Sequence, residues 1–243
     1  MRKSGEVALK NIAIQSLLWY NEQKYFAVKR CAFWQILILC VLLGDETMAQ
    51  QVLNLTCPGC GAPIEVGMKE CPYGHPITIS TFNSVYSMSL PMVNKYANTY
   101  KKKLNEDPTD MQSLESIAFC YLKLKLYDKA LEAFEKAFEE NFDNAELYFY
   151  AAICLLGGKK AFLQQRPTID KILEYINAAI MIEPRGIFYY FMAYIKYDYF
   201  KRKFLNVSPN FQDTLGMARE YGYSEFDTVQ LYSILGVDKP VGF

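Results

Sequence analysis

The chain has 243 residues, room for one large domain or two small ones, and it balances 26 Lys+Arg against 26 Asp+Glu. A net charge of zero argues against a protein that works by wholesale neutralisation of phosphates. A single histidine, His75, excludes a multi-histidine metal centre and any serine triad built on another histidine. With 51% hydrophobic residues, 19 Tyr and 16 Phe, the chain is able to bury a core.

Residues 1–47 form the first segment. Within it, residues 31–43 (CAFWQILILCVLL) are 13 almost wholly apolar positions between Lys29-Arg30 and Gly44-Asp45-Glu46. A bilayer span takes about 20 such residues, so a transmembrane helix is not expected. The length suits a signal-peptide core, with a positive flank before it and Thr47-Met48-Ala49 after it. Three readings stand: an extension ahead of a start at Met48, a signal or membrane anchor, or a helix packed on the body. The first goes with a cytoplasmic protein. The second goes with an envelope-associated assembly factor, exported or tethered through the apolar run at 31–43.

The cysteines fall into two groups. Cys31, Cys40, Cys120 and Cys154 are scattered in apolar stretches and read as small core residues. Cys57, Cys60 and Cys71 cluster, and His75 follows, in the run CPGCGAPIEVGMKECPYGHP. Two residues between Cys57 and Cys60 let both sulfurs face one ion from a tight turn that Pro58 and Gly59 preset. Cys71-Pro72-Tyr73-Gly74 repeats the device. Three sulfurs and one imidazole close a tetrahedral site, which makes zinc the expected metal and its role structural. The stretch between the turns is one short hairpin long and buries too little surface to fold without the ion. A redox role for Cys57 and Cys60 is disfavoured, because Gly61-Ala62-Pro63 does not open a helix. Residues 55–80 resemble a short zinc ribbon of the kind with a CPxCG knuckle. They depart from it at Gly74, where the second knuckle ordinarily ends in cysteine, and this leaves His75 as the candidate fourth ligand. The resemblance implies a small β module.

Beyond residue 90 the apolar period becomes helical and the sequence repeats. Leu114, Ile117, Ala118 and Tyr121 share their spacing with Tyr148, Ala151, Ala152 and Leu155, then with Tyr190, Ala193, Tyr194 and Tyr197. Tyr100, Phe134 and Ile176 repeat at the same two shifts, as do Pro108, Phe142 and Pro184. The longer second copy carries its extra residues between Gly157 and Pro167. Residues 111–144, 145–186 and 187–222 resemble tetratricopeptide repeats, the last copy degenerate, with residues 90–108 as the second helix of an incomplete earlier copy. The expected architecture is therefore mostly α: a solenoid of antiparallel helix pairs over residues 90–236, preceded by the small β zinc ribbon. Ser224-Glu225-Phe226-Asp227 reads as a capping box opening a last helix that Gly236 ends. Phe226, Val229, Leu231, Tyr232 and Leu235 are expected to cover the open end of the stack.

The resemblance implies a non-enzymatic adaptor that binds a protein or peptide on the concave face made by the first helix of each pair. That face would carry Glu115, Phe119 and Leu122 in the first copy, Phe149, Tyr150 and Ile153 in the second, and Phe191, Met192 and Ile195 in the third. Such a lining suits an amphipathic helix or an extended apolar segment. Glu115, Phe119 and Tyr150 stand where a clamp for a terminal carboxylate would need cations, so that subclass is not expected. A nucleic-acid role for the ribbon is disfavoured, since Lys69 is the only cation within residues 57–80. Gly157-Gly158-Lys159-Lys160 lacks the residue order of a phosphate loop, and no small-molecule substrate is implied.

Overall fold

The computed structural model describes residues 56–65 and 68–243, and these are mostly helical. The three readings of residues 1–47 lie outside the described residues, as do Cys31 and Cys40. Residues 54–243 form one compact unit. Among the described residues no helix is long and apolar enough to cross a membrane.

The helices are α1 (Phe82–Tyr86), α2 (Leu90–Glu106), α3 (Met111–Lys123), α4 (Tyr127–Glu140), α5 (Ala145–Cys154), α6 (Arg166–Ile182), α7 (Gly186–Ile195), α8 (Phe211–Tyr221) and α9 (Glu225–Leu235). Their boundaries follow local chemistry. Asp110 and Asn144 each accept a backbone N–H in the first turn of α3 and α5, which satisfies a donor that the helix itself cannot pair. Pro91 and Pro167 occupy the first turns of α2 and α6, where no backbone N–H is missed. Asn210 with Asp213 and Ser224 with Asp227 form full capping boxes on α8 and α9, the second at the residues the sequence marks.

From α2 to α8 each helix packs on the next along the chain. The small residues at the repeat positions allow this. Ala118, Ala130, Ala137, Ala151, Ala152 and Ala179 are all fully buried, and Tyr100, Phe134 and Ile176 fill equivalent spaces between helices. The extra residues of the longer copy form a loop with a short 3₁₀ turn, Ala161–Leu163. The Phe162 N–H donates to Asp198 Oδ2 at 2.8 Å, and Asp198 is also ion-paired to Arg202. Asp198 lies in a π-helical turn, Lys196–Lys201, that continues α7.

Two elements differ from expectation. The cysteine segment makes no strand among the described residues, only isolated bridges between Thr56 and Pro63 and between Glu70 and Pro76. Proline stands at one side of each bridge and has no N–H with which to extend a ladder. The last helix also lies elsewhere. α9 packs on α5 and α7, the first helices of two successive pairs. It buries Gln230, Leu231, Ile234 and Leu235 and leaves Phe226 and Val229 more than half exposed. On the same side, α1 packs on α3. The two join where Gln230 Nε2 donates to Asn83 Oδ1 at 2.7 Å, and α9 is tied to α4 where the Tyr127 hydroxyl donates to the Ile234 carbonyl at 2.7 Å.

Candidate metal centre and the face of the first helices

Cys57, Cys60, Cys71 and His75 come together, with their ligand atoms all within 4.8 Å of one another. Two turns of related design present them. In the first, the Gly59 N–H donates to Cys57 Sγ at 3.3 Å, the Gly61 N–H to the Cys57 carbonyl at 2.9 Å, and the Cys57 N–H to the Ala62 carbonyl at 2.8 Å. In the second, the Tyr73 N–H donates to Cys71 Sγ at 3.4 Å, the Gly74 N–H to the Cys71 carbonyl at 2.8 Å, and the Cys71 N–H to the His75 carbonyl at 2.9 Å. The left-handed glycine falls four residues after Cys57 (Gly61, φ +79°) but three after Cys71 (Gly74, φ +73°). The second turn is therefore one residue tighter. This places the residue after the glycine beside the sulfurs, and the longer imidazole covers the distance a cysteine at position 74 would have covered. The departure from the knuckle pattern and the approach of the histidine are two sides of one geometric change.

The distances within the cluster are informative. Cys60 Sγ and Cys71 Sγ are 3.8 Å apart, and Cys71 Sγ and His75 Nδ1 are 3.5 Å apart. A tetrahedral ion about 2.3 Å from sulfur and about 2.0–2.1 Å from nitrogen requires edges of about 3.8 Å and about 3.5 Å. Those two edges match, while the four ligand atoms span up to 4.8 Å, and the cluster is close enough to hold a metal ion. Cys57 and Cys71 are buried, while Cys60 and His75 reach the surface. Burial pushes the Cys57 thiol up. At Cys71 burial acts the same way but is outweighed by the backbone N–H groups of His75 and Tyr73 and by the Cys57 and His75 side chains, which bring it down to about 6. At neutral pH Cys71 is poised as a thiolate, the form that binds metal.

Helix α2 backs this cluster. The Tyr96 hydroxyl donates to the Pro76 carbonyl and the Tyr100 hydroxyl to the Ile77 carbonyl, both at 2.8 Å. Ser116 of α3 accepts from the Ile79 N–H at 3.0 Å and donates to the Ile79 carbonyl at 3.2 Å. Gly59 has no room for a side chain, because a Cβ there would stand 2.9 Å from the Tyr96 hydroxyl and 3.2 Å from His75 Cγ. Sequence reasoning missed Tyr96, Ser116 and the constraint on Gly59. The one signal it had was the four-residue spacing of Tyr96 and Tyr100, which puts both rings on one helix face.

The residues expected on an open partner face lie elsewhere than at the surface. Phe119, Leu122, Phe149, Tyr150, Ile153, Phe191, Met192 and Ile195 are all buried. Phe119 stacks edge-on against Phe134 and Tyr150, Phe149 packs on Phe188 and Phe191, and Phe82 of α1 covers Tyr150. Glu115 is half-buried and accepts from Asn141 Nδ2 at 2.9 Å. The physical reason is the position of α1 and α9, which occupy the side of the first helices that the repeat pattern leaves open.

No protein-family model matches the chain, and no curated protein matches it.

Proposed function

We propose that this protein is a non-enzymatic adaptor, in which stacked helix pairs of the tetratricopeptide kind receive a helical segment of another protein and a zinc ion bound by Cys57, Cys60, Cys71 and His75 folds the amino-terminal turns onto the stack. Two observations support the repeat reading: helix pairs open at Met111, Ala145 and Gly186, and small or aromatic residues recur at matching buried positions. Zinc is favoured by the donor set, three sulfurs and one imidazole, and by the two separations, Cys60 to Cys71 and Cys71 to His75, that equal tetrahedral edges. Four protein donors leave no open position for a substrate, so the ion is structural.

The observation that carries the partner-binding reading is α9 itself. It is an eleven-residue helix laid over α5 and α7, which means that this face accepts a helix. Its anchoring is thin: it buries four side chains, one of them polar, whereas α5 and α7 each bury eight residues. A partner helix with a stronger apolar face takes its place. The test uses the full-length chain with Leu231→Asp, which undocks α9, and a labelled synthetic peptide of residues 223–243. The variant binds the peptide at one per chain. The unaltered protein binds it far more weakly, because its own α9 competes at an effective concentration on the order of millimolar. Absence of binding by the variant, with its other helices intact, refutes the reading. Zinc is tested separately by native mass spectrometry, which reads one ion per chain, lost in Cys60→Ser.

A further inference from the structure

The turn that follows α7 is the π-helix Lys196–Lys201, closed by the Phe204 N–H on the Lys201 carbonyl at 3.0 Å and the Leu205 N–H on the Phe200 carbonyl at 2.8 Å. A π turn widens the helix by one residue and re-aims its side chains, and such turns recur at functional sites. One of the re-aimed side chains is Lys196, only 5% exposed. Its Nζ donates to Thr214 Oγ1 at 3.0 Å. The Thr214 hydroxyl in turn donates to the Asn210 carbonyl at 2.7 Å, so its lone pairs are left to face the lysine. An ammonium has three donors, and this one meets no carboxylate within ion-pair distance among the described residues. The nearby acids are engaged elsewhere. Asp198 is held by Arg202 and the Phe162 N–H, and Asp213 accepts from the Asn210 N–H in the capping box of α8. Burying an unpaired ammonium is costly, and burial draws Lys196 below the ordinary lysine range.

Lys196 lines a cavity of about 820 Å³ between the π turn, residues 204–208 and the start of α8, within the size range of about 300–1,000 Å³ that holds small organic ligands. Lys201 is the other charged residue in its wall, and no acid lines it. The apolar part of the wall comes from Phe204, Leu205, Val207 and Phe211. Phe204 is held at φ +58°, a left-handed conformation unusual for a side chain of this size, and is 95% exposed. One wall thus combines a strained, exposed aromatic with a buried cation that has no carboxylate within ion-pair distance among the described residues.

We propose that this cavity binds an organic carboxylate with an aliphatic body, the carboxylate on Lys196 and Lys201 and the body against Phe204, Val207 and Phe211. The carboxylate supplies the two acceptors that Thr214 does not, and the body covers the Phe204 ring. Calorimetric titration of the full-length protein tests this with octanoate, octanol, acetate and inorganic phosphate. Octanoate binds at one per chain, and octanol, acetate and phosphate bind at least about tenfold more weakly, because each lacks the charge or the body. Lys196→Met, which keeps the length of the side chain, weakens octanoate about 30-fold or more. Should that variant fail to fold, Phe204→Ser at an exposed position serves instead, and octanoate but not acetate loses affinity. No binding of octanoate at millimolar concentration overturns the proposal. So does equal binding of octanol, which would mean an apolar cleft without a role for the lysine, or phosphate binding as tight as octanoate, which would mean a bare anion site.

Discussion

On the proposed zinc site, removing the ion should unfold residues 57–79 and loosen α2 while sparing the helices beyond it. Ordering the roughly 20 residues from Cys57 to Pro76 costs about 20 kcal/mol even at about 1 kcal/mol per residue. The contacts seen in the structure return less. The two tyrosine hydroxyls and the two Ser116 hydrogen bonds contribute about 1 kcal/mol each. Burying Ile77 and Ile79 contributes about 1.5–3 kcal/mol each. The total is about 7–10 kcal/mol, and a thiolate-bound zinc, at about 10–16 kcal/mol, covers the difference. Chelation, or Cys60→Ser, therefore releases the segment. Tyr96 and Tyr100 then lose their carbonyl partners and their cover, and the amides of Leu90–Glu106 exchange faster. From α4 to α8 the helices are held by one another, so they keep their protection. Hydrogen exchange read by mass spectrometry distinguishes these regions. Unchanged protection of residues 57–79 after chelation refutes the reasoning, since it means that the turns fold without an ion. Loss of protection in α5 to α7 refutes it as well, since it makes the ion a keystone of the whole stack.

Gly186→Ala should destabilise the protein by about 3 kcal/mol or more in urea denaturation, because a Cβ there meets backbone atoms of α8 and its C-cap, with the Ala218 carbonyl at 2.6 Å, and backbone cannot turn aside; a change under about 1 kcal/mol contradicts the observed closeness of α7 and α8. Gly59→Ala pushes on Tyr96 and the His75 ring, so a competition assay should show metal affinity lowered about tenfold or more with the helices intact. Ser224→Ala removes the acceptor for the Asp227 N–H, costs about 1 kcal/mol, and should speed exchange in α9 ahead of every other helix; uniform acceleration means that α9 is not a separable element. At Glu135, burial raises the carboxyl but hydrogen bonds from Lys171 (2.6 Å) and Tyr175 (2.7 Å) outweigh it and hold it below the ordinary value. A depressed carboxyl contributes stability that is complete above the unfolded-state range and is lost as pH falls through the folded value. Glu135→Gln should flatten the acid limb of the melting curve, by less than about 1 kcal/mol because the pair is partly exposed, and a parallel limb rules the contribution out.

The legible parts of this sequence are those where a local rule has one outcome. Ser224 with Asp227 marks a helix start because a side-chain oxygen at that position satisfies a donor nothing else reaches. The metal cluster is legible because two tight turns can bring their ligands to one point from sequence spacing alone. α1 is not, since five residues are too few to show a period, and neither is the π turn, which differs from the α-helix before it by one hydrogen-bond register and not by composition. The covered face of the first helices is a different kind of miss. Periodicity reports that a stripe of residues shuns water; it does not say whether the cover is another molecule or a later part of the same chain. The decisive signal is present in the helices themselves. Ala145–Cys154 and Gly186–Ile195 each bury eight of ten residues, and a helix apolar on nearly every side is enclosed. On the proposed function, a groove that opens to a partner while its walls are this apolar needs a removable cover. The segment best placed to be one is the capped helix Glu225–Leu235, which already lies on those walls and holds to them with only four buried side chains.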